Sequence, residues 1–235
     1  LGQRTALSHN WNLGESIPKI DGFYSLQLRR QHAIWKILYG GEAPPPEGLL
    51  DFLGASQISD PVSLFKWVAR TNPLPLVTTG QMPVFAIDEE DALTRLASPE
   101  FNPREIVIFS REDQRAVDGI QPGVAEIRSV LHHSPQALEI TVDATAPSLV
   151  VIAQSHHPPW RATVNETATP IVAANHAFQA VVVPAGRSIV RIKYRDSAFL
   201  IGAAISFLAL IGCAAGLFHA RGQSSAAAPI RVSED

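Results

Sequence analysis

Cysteine is nearly absent: Cys213 is the only one in 235 residues. An intramolecular disulfide is therefore excluded, although an oxidising compartment is not. A basic field is also missing. Nineteen Lys and Arg face 22 Asp and Glu, for a formal net charge of −3. With no recognition motif beside it, that balance excludes nucleic acid as a partner. GxSxG, HExxH, a phosphate loop and GxGxxG do not occur, so no catalytic residue, cofactor or metal is assigned from motifs. The N-terminus has no basic, apolar, small-residue signal and opens on Leu1 rather than Met. The chain therefore reads as a piece of a longer polypeptide whose targeting information lies upstream.

What the sequence does contain is one long apolar run. Residues 197–218, SAFLIGAAISFLALIGCAAGLF, carry no charge, and as a helix at ~1.5 Å per residue they reach roughly 33 Å, enough to cross a bilayer core. A buried helix of a soluble protein would show a polar stripe, and this run offers only Ser197, Ser206 and Cys213. A transmembrane helix is expected, with a folded domain before it and a short tail, 219–235, after it. Within the helix Gly212 and Gly216 form a GxxxG, flanked by other small residues. Such a surface lets helices approach closely, and it also arises by chance in a Gly/Ala-rich helix. Arg187, Arg191, Lys193 and Arg195 precede the helix and only Arg221 and Arg231 follow it. A simple positive-inside count would put the domain in the cytoplasm, but charges on a folded strand weigh little in that rule.

Residues 1–58 form a connecting segment. Leu26, Leu28, Ile34, Ile37 and Leu38 suit a helix, Pro44 to Pro46 a stiff linker, and 49–53 a short helix stopped by Gly54. Residues 59–122 read as a small α/β unit. Its parts are a strand over 59–69, where Asp60-Pro61 would also suit a helix cap, a strand over 83–87, a helix opening at Asp88 with an acidic first turn, and a buried strand over 106–109. From 123 to 196 short alternating segments take over: 125–131, 137–144, 149–154, 160–164, 170–174, 178–183 and 188–194. Their regular spacing predicts an antiparallel β-sandwich. The expected class is α+β: a small α/β unit, a β-sandwich, then one transmembrane helix.

Few side chains suggest a site. The pairs His132-His133 and His156-His157 are adjacent, and strand neighbours point to opposite faces, so neither pair readily gives two ligands to one metal. Trp160 offers a ring face to a sugar, with Arg161, Asn175 and His176 as hydrogen-bond partners. The alternative is a tryptophan that packs at the end of a sandwich strand. Asn165-Glu166-Thr167 matches a glycosylation sequon, a weak three-residue pattern.

Several pieces resemble, in order, the closing region of the YfhO family of large bacterial membrane proteins: His156-His157-Pro158-Pro159-Trp160-Arg161, Ala174-Asn175-His176-Ala177-Phe178-Gln179 and Val183-Pro184-Ala185-Gly186. Weaker likenesses lie at Ile20-Asp21-Gly22-Phe23-Tyr24-Ser25-Leu26, Leu49-Leu50-Asp51-Phe52-Leu53-Gly54, Asn72-Pro73-Leu74-Pro75 and Asp88-Glu89-Glu90-Asp91-Ala92-Leu93. Departures are Asn165-Glu166 for an Asp-Gly turn, and Gln179 and Leu76 for arginines, so roles tied to those charges are not carried over.

The resemblance implies a multi-spanning relative of GT-C glycosyltransferases that use polyprenyl-phosphate-linked sugars. Its C-terminal domain would lie outside the bacterial cytoplasmic membrane, and its catalytic acid in an early loop that this chain does not contain. Expected partners are the lipid bilayer, upstream transmembrane helices of the same protein, and a glycan or lipid-linked sugar. The rival expectation is a non-catalytic, membrane-anchored β-sandwich module, structural or glycan-binding.

Overall fold

The computed structural model describes residues 17, 19–20, 27–41, 43–60, 62–63 and 66–225, with side chains through residue 216. Two compact units divide the chain, one ending at Tyr194 and the other beginning at Arg195.

In the first unit, helix α1 (Arg29–Tyr39) buries Ile34 and Leu38, four residues apart on one face. Leu26, expected on the same helix, falls outside the described residues. Helix α2 (Glu47–Phe52) buries Leu49, Leu50 and Phe52, and the chain leaves it through Gly54 at φ +70. That left-handed conformation is cheap only for glycine.

The 59–69 stretch, expected as one strand, is instead a hairpin: β1 (Gln57–Ser59) pairs antiparallel with β2 (Trp67–Ala69). Asp60 makes the turn. Its carboxylate accepts the Val62 and Ser63 N–H groups at 2.8 and 3.2 Å and pairs with Lys66 at 3.2 Å. An aspartate bonding its own turn breaks the strand period that Val62, Leu64 and Val68 suggest.

Strand β3 (Val77–Thr79) is followed by β4 (Met82–Ala86), α3 (Glu89–Ala97) and β5 (Ile106–Ser110). β4 and β5 pair in parallel, the α/β unit that the sequence predicts. Asp88 caps α3 by accepting the Asp91 N–H at 2.8 Å, and three carboxylates in the first turn suit the positive end of the helix dipole. A 3₁₀ turn (Arg111–Val117) closes the unit.

Eight further strands follow: β6 (Ala125–Ser134), β7 (Ala137–Ala144), β8 (Ser148–Ile152), β9 (Trp160–Val164), β10 (Thr167–Thr169), β11 (Val172–Ala174), β12 (Phe178–Val183) and β13 (Gly186–Tyr194). They form a five-stranded sheet, β10-β9-β13-β7-β6, facing a four-stranded sheet, β11-β12-β8-β3. β3, from the 59–122 stretch, thus completes the second sheet by pairing with β8. Ile140, Val142, Val190 and Ile192 of the first sheet pack with Val150, Ile152, Val181 and Val183 of the second.

The alternate residues Leu149, Val151, Phe178 and Ala180 point the other way, into a core shared with α1, α2, α3 and β5. Phe52 meets Phe178 edge-on at 4.9 Å. The four-stranded sheet is therefore a middle layer, which explains why all five residues of β8 are buried while β7, half-solvated, alternates.

The second unit is helix α4 (Ser197–Ser225). Asp196 caps it by accepting the Phe199 N–H at 3.0 Å. Its segment Ser197–Gly216 is long and apolar enough to cross a membrane and has no buried residue. A Cβ placed on Gly212 or Gly216 would meet nothing within 4 Å.

Candidate functional site

Trp160 and Arg161 open β9 at one end of the five-stranded sheet. In register, Trp160 lies opposite Tyr194 and Arg161 opposite Lys193. The Trp160 ring meets Tyr194 edge-on at 5.2 Å, and the His157 ring stacks on the same Tyr194 at 5.8 Å. The Tyr194 hydroxyl and His157 Nδ1 are hydrogen-bonded at 3.1 Å. Trp160 is half-buried and packs against the sandwich core, the end-of-strand packing that the sequence left open beside sugar stacking. Arg161 is exposed and donates to the Trp160 carbonyl at 2.9 Å and to the Pro158 carbonyl.

Asn175 and His176 form the turn between β11 and β12, both left-handed at φ 45 and 67. The Asn175 side chain is committed: its Oδ1 accepts the Ile108 N–H at 2.9 Å, while its own N–H donates to the Ile108 carbonyl at 2.7 Å. Those two bonds tie the turn to β5. The His176 side chain is 5% exposed and lies 3.8 Å from Glu89 Oε1, and its Nε2 has no hydrogen-bond partner. No hydrogen bond or ring contact among the described residues joins Trp160 and Arg161 to Asn175 and His176, so the four residues form two places rather than one.

Around His176 the fold gathers a polar cluster that the sequence did not reveal. Arg30 of α1 donates to the His176 carbonyl at 3.4 Å, and Arg29 pairs with Glu89 of α3 at 2.9 Å. Ser155 donates to Gln31 at 3.2 Å and accepts at its carbonyl from the fully buried Gln179 at 3.0 Å. Burial pushes the Asp113 carboxyl up, opposed by Arg30. Burial also pushes the His156 imidazole down, helped by Arg30 and opposed by Asp113, and the His176 imidazole down, opposed by Glu89. A desolvated acid and two neutral imidazoles around a guanidinium are features of functional sites and structural joints alike. Here the groups sit where α1, α3, the 3₁₀ turn and two sandwich loops meet.

An open cleft of about 450 Å³ runs between α1 and α3, with Arg29, His32, Lys36 and Glu89 above Ile37 and Leu93.

The adjacent histidines behave as strand-like neighbours do. His157 stacks on Tyr194, and Arg30 and Asp113 act on His156 with opposite signs. His132 and His133 are exposed on β6. No group of three or more His, Cys, Asp or Glu suited to a metal occurs among the described residues. Asn165 and Glu166 form the β9–β10 turn at φ 49 and 68, and the Asn165 Oδ1 accepts the Ile189 N–H at 2.8 Å.

The missed residues had no local signature. Arg30 and His176 are 146 positions apart, and only the fold brings them together. No protein-family model matches the chain, and no curated protein matches it.

Proposed function

We propose that this chain is the extracytoplasmic accessory region, with the last transmembrane helix, of a multi-spanning GT-C-like membrane glycosyltransferase that uses a polyprenyl-phosphate-linked sugar. Its role is to hold an acceptor or glycan near a site embedded in upstream helices of the same protein. The carrying observation is the apolar segment Ser197–Gly216, none of which is buried, and which follows the sandwich after only two residues. The ordered resemblance to the closing region of the YfhO family supports the same reading. Gly212 and Gly216, open on the helix surface, are where a neighbouring helix of the bundle packs.

The test is glycan transfer by the full-length gene product with and without residues 1–196. Loss of transfer or altered acceptor choice is expected, and unchanged activity and acceptor choice would overturn the accessory role. Protease protection in sealed spheroplasts tests sidedness: a resistant domain with a cleaved tail would reverse it.

A further inference from the structure

We propose that the end of the sandwich carrying Trp160, Arg161, Lys193 and Tyr194 rests in the headgroup layer of the bilayer and selects anionic phospholipid. The inference rests on α4 crossing the membrane. β13 ends at Tyr194 and α4 begins at Ser197, so only Arg195 and Asp196 intervene. Two residues and their flanking bonds span at most about 10 Å, comparable with the polar layer between water and hydrocarbon. The Tyr194 end of the sheet is therefore the end that the chain tethers to the membrane.

The charges on the outward face of that sheet change character toward this end. Farther along, cations are matched: Arg128 pairs with Asp143 at 2.7 Å and with Glu126 at 2.9 Å, and Arg191 pairs with Glu139 at 2.7 Å and with Glu166. In the last outward row Arg161 lies directly opposite Lys193, and neither forms an ion pair among the described residues. Like charges in register repel. The local carboxylates are engaged elsewhere: Glu139 hydrogen-bonds Arg191 and reaches Lys193 only through space, and Asp196 caps α4. Arg195 adds a third cation in sequence.

An anion supplied from outside satisfies this row, and the surface that chain connectivity brings to it is the lipid headgroup. Beside it sit Trp160 and Tyr194, rings with an apolar body and a polar tip, the residues that favour membrane interfaces. Each cation at an anionic surface is worth about fivefold in association.

The test uses the whole chain reconstituted in vesicles of phosphatidylcholine, with and without phosphatidylglycerol, carrying lipids brominated near the glycerol backbone. Flotation with the vesicles checks α4 separately. The chain has four tryptophans, so the difference between wild type and Trp160→Phe isolates Trp160. Quenching specific to Trp160 is expected, stronger with phosphatidylglycerol and reduced to the phosphatidylcholine level by Arg161→Glu/Lys193→Glu. Added salt should reduce it in the wild type without any substitution, since exposed charges are screened. A chain that floats while wild type and Trp160→Phe are quenched equally overturns the placement. Quenching indifferent to both phosphatidylglycerol and salt overturns the selection of anionic lipid. A chain that fails to float overturns the membrane reading on which both rest.

Discussion

Asn175 and Ile108 hold each other through two hydrogen bonds, one from each residue's N–H, at 2.7 and 2.9 Å. The side-chain amide of Asn175 acts as a strand would, continuing β5 into the β11–β12 turn. Asn175→Ala leaves the buried Ile108 N–H without its acceptor and puts a Cβ without local hydrogen bonding at positive φ. The expected loss is about 2–4 kcal/mol. Asn175→Gly relieves only the backbone term and should lose about 1 kcal/mol less. Urea unfolding of the whole chain in detergent measures both, and equal losses would assign the whole effect to the hydrogen bond.

Gly48 is fixed by close approach rather than by conformation. A Cβ there would stand 1.9 Å from the Phe101 carbonyl oxygen, which is backbone and yields only if the α3–β5 connection moves. Gly48→Ala should destabilise by about 1–3 kcal/mol despite alanine's better helix propensity. A thermal midpoint at or above the wild-type value would show that α2 shifts freely.

Arg70 locks the front of the unit together. Its guanidinium, 8% exposed, pairs with Asp51 at 2.7 Å and Glu47 at 2.5 Å and donates to the Ala55 carbonyl at 3.0 Å. Arg70→Ala should cost about 3 kcal/mol, because it strips a largely buried carboxylate of one partner. Arg104, 2.9 Å from Asp51, limits the loss. Combining Arg70→Ala with Arg104→Ala should therefore cost more than the sum of the single changes, as read by a double-mutant cycle.

Stability should fall as the pH drops below about 6.5. His156 and His176 both have folded pKa values below the ordinary 6.5, so over that interval the unfolded chain binds more protons. Their contribution is complete above the unfolded value of 6.5 and is lost as pH falls from there through their lower folded values. The facing groups are Arg30, Asp113 and His157 for His156, and Glu89, Arg30 and Arg29 for His176. Asp113, whose carboxyl is raised, has the opposite sign and recovers part of the loss as it protonates. His156→Gln with His176→Asn, which keeps a residue tolerant of the left-handed turn, should flatten the slope of unfolding free energy against pH. An unchanged slope would place the titration elsewhere.

Several strands were readable in the sequence. β7, β9 and β12 have the boundaries that their spacing predicts, and β7 alternates because one side meets the core and the other water. Asp88 and its acidic turn marked α3 for the same local reason. What the sequence did not show depends on distant partners. Nothing in Val77-Thr78-Thr79 says that it pairs with β8, seventy-odd positions on. The continuous burial of β8 comes from a second layer behind the sheet rather than from its own pattern.

The candidate site followed this division. Trp160 and Arg161 were placed correctly on one strand, but Asn175 and His176 suggested free polar donors. Two consecutive residues that bridge short strands, the first an asparagine, also suit a left-handed turn. The fold uses them in that way.

The position of β13 has a mechanical consequence. It is flanked by β7 on one side and β9 on the other, and its chain runs directly on into α4. Tension between α4 and the domain therefore enters through a central strand rather than an edge. Over Val190–Lys193, the part next to α4, peeling that strand away means breaking pairings to both neighbours, so the attachment is strongest where the load arrives.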